Sequence, residues 1–128
     1  MREETVSTNG KKVLIVDDDR EMTGVLREIL QENHYKVCVA ANGLEAIEIS
    51  NKEKVDVILL DIRMPFFSGF WFCDAFKKRP QTVNIPVVIM SASYDEEDVR
   101  KAYQLGAVGY LKKPFQMNEL LNTIEKAA

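Results

Sequence analysis

The sequence predicts an α/β protein, a doubly wound parallel sheet of five strands alternating with five helices. Two observations carry the prediction. Short β-branched runs without polar alternation recur along the 128 residues, which suits strands covered on both faces. Between them lie stretches with apolar residues at three- and four-residue spacing, which suits crossover helices. A third observation points to the working edge: acidic, hydroxyl and basic residues stand where the strand-like runs end. Strand–helix alternation forces parallel strands with right-handed crossovers and helices on both faces.

The elements follow in order. From Lys12, the run Val13, Leu14, Ile15 and Val16 reads as the first strand. Met22, Val25, Leu26, Ile29 and Leu30 form one apolar stripe behind Asp19, a suitable helix cap. Residues 36–40 read as a strand, 43–50 as a helix through Leu44 and Ile47, and 55–60 as a third, strongly apolar strand. A loop through Pro65 and Gly69 leads to a helix ending near Arg79, and Pro86 opens a strand over 87–90. Residues 95–105 read as a helix, 109–111 as a short strand and 117–127 as the closing helix. Residues 1–10 are polar, show neither period and are read as a disordered head, which leaves 11–128 as the folded domain.

Composition narrows the class of function. With 46% hydrophobic and 29% charged residues the chain has the make-up of a soluble globular domain. A chain of this size buries roughly two thirds of its unfolded surface and needs no disulfide or structural metal. The net charge of −3 argues against direct nucleic-acid binding. Cys38 and Cys73 lie among apolar neighbours without metal-type spacing, so they read as reduced core thiols in a cytoplasmic protein. No apolar run approaches the ~20 residues of a membrane span.

In doubly wound sheets, functional groups collect beyond the carboxyl ends of the strands. Here those ends carry Asp17, Asp18 and Asp19, then Asp61, then Ser91, and finally Lys113. Grouped carboxylates repel one another unless a cation compensates. Magnesium fits, because it takes oxygen ligands and one or two carboxylates alongside phosphate oxygens. The lack of neighbouring His or Cys argues against zinc. Lys113 can pair with a carboxylate at rest and with a phosphoryl oxygen after transfer. An Asp61 oxygen attacking phosphorus, with magnesium and Lys113 neutralising the transferring oxygens, yields an acyl phosphate. Each group also has a plain structural reading: Asp17 to Asp19 as an acidic helix start, Ser91 as a cap for the helix near Asp95.

Taken together, VLIVDDD, VDVILLDIRMP, IMSAS and GYLKKPF resemble the motifs of the receiver domains of two-component response regulators, over residues 12–127. The resemblance implies a CheY-like, flavodoxin-like fold with strand order 2-1-3-4-5 and makes Asp61 the phospho-acceptor. It assigns the switch hydroxyl to Ser91, the phosphate-binding lysine to Lys113 and the rotating aromatic to Tyr110. It implies magnesium bound by Asp18, Asp61 and the main-chain carbonyl of Arg63, with Asp17 acting mostly through water, and a cis peptide before Pro114. The implied role is a signalling switch rather than an enzyme. Its implied donor is a sensor histidine kinase or phosphotransfer protein, and a homodimer through residues 95–105, 109–111 and 117–126 is one expected readout.

Some readings stay open at this level. Arg63, two residues past the acceptor, either screens the phosphoryl group or reaches toward it. Phe66, Phe67, Phe70, Trp71, Phe72 and Phe76 exceed what one buried helix face needs, so they read either as core with scattered exposed rings or as a partner surface. An aspartate-nucleophile phosphatase of the haloacid dehalogenase kind also places a DxD at the end of its first strand, here Asp17 and Asp19. A receiver-like adaptor that binds partners without phosphorylation is the other rival. Whether the domain works alone or within a longer regulator or hybrid kinase is not set by these residues.

Overall fold

A computed structural model describes residues 10–64, 67–93 and 95–128. The elements run β1 (Lys12–Val16), α1 (Arg20–Glu32), β2 (Lys36–Ala40), α2 (Gly43–Lys52), β3 (Val57–Asp61), β4 (Arg63–Met64) and β5 (Phe67–Ser68). They continue with α3 (Gly69–Lys77), β6 (Val87–Ser91), α4 (Glu96–Gln104), β7 (Gly109–Lys112) and α5 (Met117–Ala127). Five strands form one parallel sheet in the order β2-β1-β3-β6-β7. Setting aside the small β4–β5 ribbon, this is the expected order 2-1-3-4-5.

Alternate strand residues point to opposite faces, and the two faces build two cores. Leu14, Val16, Ile58, Leu60, Val87 and Ile89 pack with Ala46 of α2, Phe72 and Phe76 of α3 and Ala102 of α4. Val13, Ile15, Val57, Leu59, Val88 and Met90 pack with Leu26 and Leu30 of α1 and Leu120 and Ile124 of α5. The unalternating strands are therefore covered on both sides, which is why they read as continuous apolar runs.

Local chemistry sets the helix starts. The side chains of Asp19, Asn42, Ser68 and Asp95 accept from the first-turn amides of Met22, Glu45, Trp71 and Glu97. Asp95, not Ser91, thus caps α4, and Asp19 is occupied as a cap.

Several details differ from the sequence expectation. The third strand begins at Val57 rather than 55 and includes Asp61, which pairs with Met90 across to β6. Arg63–Met64 and Phe67–Ser68 form a two-stranded antiparallel ribbon where only a loop was expected. Val25 is 57% exposed, because it lies about 100° around α1 from Leu26. Leu44 is 71% exposed, since Gly43 and Ala46 make the buried face of α2. The aromatic segment divides: Phe72 and Phe76 are core, Phe70 is half-buried and Trp71 is 62% exposed. Phe66, Pro65, Tyr94 and residues 1–9 of the expected head lie outside the described residues. Cys73 is buried, Cys38 half-buried, and both are free thiols. Among the described residues no helix is long and apolar enough to cross a membrane.

Candidate functional site

The chain runs from β1 outward to β2 and then crosses back over β1 to reach β3, so the sheet reverses direction of growth between β1 and β3. Loops leaving two such neighbours diverge to opposite faces and leave a crevice at their carboxyl ends. Val16 pairs with Leu60, and this register carries Asp17 and Asp61 to the same height on the two sides of the crevice. Ser91 ends β6, the next strand, and Lys113 follows β7.

Lys113 binds this edge together. Its Nζ donates to Asp17 Oδ2 at 3.1 Å and to Asp61 Oδ2 at 3.2 Å. The turn that aims it includes a Lys113 amide donating to the Ser91 carbonyl at 2.7 Å and a cis Lys113–Pro114 peptide. The other carboxylate oxygens are also held: Asp17 Oδ1 accepts from the Asp19 amide at 3.0 Å, and Asp61 Oδ1 from the Arg63 amide at 2.9 Å. Asp17 is 2% exposed and Asp61 7%, whereas Asp18 is exposed.

Two buried carboxylates share one ammonium, and the electrostatics record the imbalance. Burial pushes the Asp61 carboxyl above its ordinary value, and neighbouring Asp17 adds to this, outweighing the Arg63 amide and Lys113. Burial alone pulls Lys113 down, but the carboxylates of Asp17 and Asp61 more than compensate, so its ammonium is held above the usual lysine range. Burial of Asp61 and the two carboxylates beside Lys113 thus bias both groups toward their protonated forms. A divalent cation would offset the charge of the grouped carboxylates. The fit can be tested on geometry: one carboxylate oxygen from each of Asp17, Asp18 and Asp61 lies within 4.8 Å of the others. Three hard oxygen donors with no thiol or imidazole suit magnesium.

The readout residues lie next to this cluster. The Ser91 side chain is fully buried and its Oγ accepts from the Ser93 amide at 3.0 Å. Tyr110, half-buried, donates its hydroxyl to the Ser93 carbonyl at 2.8 Å. Arg63 donates from its guanidinium to Asp98 Oδ2 at 2.9 Å, and Ser93 Oγ donates to the same oxygen at 3.2 Å. Ser93 and Asp98 were not singled out from sequence. The second serine of IMSAS and the acidic first turn of α4 were the available signals, and both read as polar side chains facing water.

Gly69 was seen only as a loop breaker, yet it fixes the mouth of the crevice. Its amide donates to the Ile62 carbonyl at 3.2 Å, and a Cβ at this position would lie 2.4 Å from Ile62 Cα and 2.9 Å from the Asp61 carbonyl oxygen. Only glycine lets α3 begin this close to the Asp61 strand exit.

A family profile, the response regulator receiver domain, matches residues 13–125. Sporulation initiation phosphotransferase F of Bacillus subtilis is 34% identical over 116 residues, 91% of this chain and 92% of the relative. The solved chemotaxis protein CheY4 of Vibrio cholerae superposes with a TM-score of 0.88 at 33% identity, covering 93% of this chain and 99% of that one. The receiver domain of sensor histidine kinase PA1611 of Pseudomonas aeruginosa, solved with magnesium in its active-site cleft, gives 0.83 at 25% identity over 92% and 97% of the two chains. The chain also matches transcriptional regulators of which it spans about half the length.

The doubly wound fold and its acidic crevice are those of a phospho-acceptor receiver domain of the two-component class. The chain belongs to the response regulator receiver domain family.

Proposed function

We propose that Asp61 is the phospho-acceptor, taking a phosphoryl group from the phosphohistidine of a sensor histidine kinase or phosphotransfer protein. The observation that carries this is the single ammonium of Lys113 shared between Asp17 and Asp61 at the crevice floor. An Asp61 oxygen bonds to phosphorus as the phosphorus–nitrogen bond breaks, and the electron pair stays with the departing imidazole. The Arg63 amide keeps Oδ1 oriented. Lys113 is already within reach of the oxygens that gain charge. Asp17, Asp18, Asp61 and the Arg63 main-chain carbonyl would hold magnesium, in line with the ion in the PA1611 receiver. When bound, the metal neutralises the carboxylates and the transferring oxygens.

The Ser91 Oγ then leaves the Ser93 amide from which it accepts and donates its hydroxyl to a phosphoryl oxygen, and Tyr110 exchanges the Ser93 carbonyl for a more buried position. Both groups rest on one residue, which supports their moving together. The readout passes to the face formed by residues 95–105, 109–111 and 117–126, where exposed Tyr103, Val108 and Met117 favour a second copy or another partner in the cytoplasm. No nucleic-acid contact or membrane contact is assigned.

Asp19, which the phosphatase reading needs as the second acid of its DxD, is committed to capping α1. Acetyl phosphate with magnesium should add one phosphoryl group to the wild type and none to Asp61→Asn, read by intact mass. Label retained in that variant would overturn the assignment, and an unlabelled wild type would favour the phosphorylation-independent adaptor.

A further inference from the structure

Arg63 has a partner that its position next to the acceptor does not demand. Its amide touches Asp61, but its guanidinium turns away to Asp98 in the first turn of α4. Asp98 Oδ2 also accepts from Ser93 Oγ, and Ser93 holds Ser91 by its amide and Tyr110 by its carbonyl. The acceptor loop, α4 and both readout side chains are thus joined through one carboxylate.

We infer that Asp98 is a positioning residue that keeps the Arg63 guanidinium off the acceptor at rest and surrenders it to the phosphoryl group after transfer. The inference rests on the reading of Asp61 as acceptor. The Arg63 side chain is 63% exposed and that of Asp98 21% exposed, so their pair is weak enough to exchange. A phosphoryl group carries about −1.5 to −2 charge against a single carboxylate charge. It also offers the several oxygens that a planar guanidinium fork engages best. Release of Arg63 leaves the Asp98 carboxylate to Ser93 among the described residues and removes this tie between α4 and the acceptor loop. Phosphorylation would then loosen the Ser93 junction from the Arg63 side at the moment that Ser91 pulls on it from the other. Helix α4 therefore answers to the charge on Asp61 by two routes, one through Ser91 and one through Arg63.

The test is a double-mutant cycle read by beryllofluoride binding in magnesium, with NMR of the Arg63 side-chain Nε–Hε group as a second readout. Asp98→Asn should tighten beryllofluoride about threefold, the scale of a part-exposed ion pair. The same substitution in an Arg63→Gln background should change it little, and Asp98→Glu should restore wild-type affinity. The Arg63 resonance should move in Asp98→Asn without ligand and in the wild type on adding beryllofluoride. Equal tightening in both backgrounds would mean that Asp98 acts only as local charge, and would overturn the inference. So would an Arg63 resonance indifferent to Asp98. A wild type that binds no beryllofluoride removes the acceptor reading and this one with it, whereas binding with an additive cycle removes this one alone.

Discussion

Asp61 shows how an ionisable residue can be costly to the fold that carries it. Its carboxyl is held above the ordinary value of 3.8 by burial and by Asp17, so the protonated form is favoured by folding. Such a group stabilises below its unfolded pKa, and the contribution is lost as pH rises through the folded one. Asp61→Asn mimics the protonated form. In chelator, the variant should match the wild type near pH 4 and become the more stable protein as pH rises toward neutrality, checked by thermal melts across that range. A gap that shrinks with rising pH would contradict the electrostatic account. At this scale much of the site was legible in sequence: Asp17, Asp61, Ser91 and Lys113 each end or follow a strand, and strand ends are where such folds place chemistry. The Arg63–Asp98 and Ser93 contacts were not. They join surface-type polar residues far apart in the chain, and no periodicity distinguishes a charge with a distant partner from one facing water.

Helices were read correctly in place and type, but not always in orientation. Val25 and Leu44 counted toward apolar stripes and proved exposed, because a stripe drawn from spacing alone does not say where its edge falls. The contrast can be measured. Leu30→Ala, at a fully buried position of α1, should cost about 2–5 kcal/mol; Leu44→Ala should stay within about 0.5 kcal/mol, both by urea unfolding. The β4–β5 ribbon escaped notice since two-residue strands carry no alternation to detect. The start of α3 is a tighter constraint than its sequence advertised. Gly69→Ala places a methyl group 2.4 Å from backbone atom Ile62 Cα, and the backbone must give way. A loss of about 1–3 kcal/mol is expected, together with weaker magnesium binding, because the displaced segment is the one that carries the Asp61 strand exit.

Across the whole molecule, two cores on opposite faces of one sheet meet at β1 and β3, whose ends supply the acidic cluster. Ligand binding at that edge therefore couples to global unfolding. Magnesium at tenfold above its dissociation constant should stabilise the wild type by about 1.4 kcal/mol, raising Tm by a few degrees, and chelation should reverse the gain. Asp18→Asn should reduce it, since Asp18 is the exposed member of the cluster. The Ser93 junction has one more consequence, for sequence variation. Of its four links among the described residues, those to Ser91 and to Tyr110 are made by main-chain N–H and C=O groups, and those to the Asp98 carboxylate and the Asp95 amide at the start of α4 use the hydroxyl. No replacement at position 93 other than proline removes its main-chain N–H or C=O. Drift at this residue can cut the arm that reaches α4 while leaving the arms to the two readout side chains in place, so one position allows the strength of coupling to be tuned without dismantling the switch.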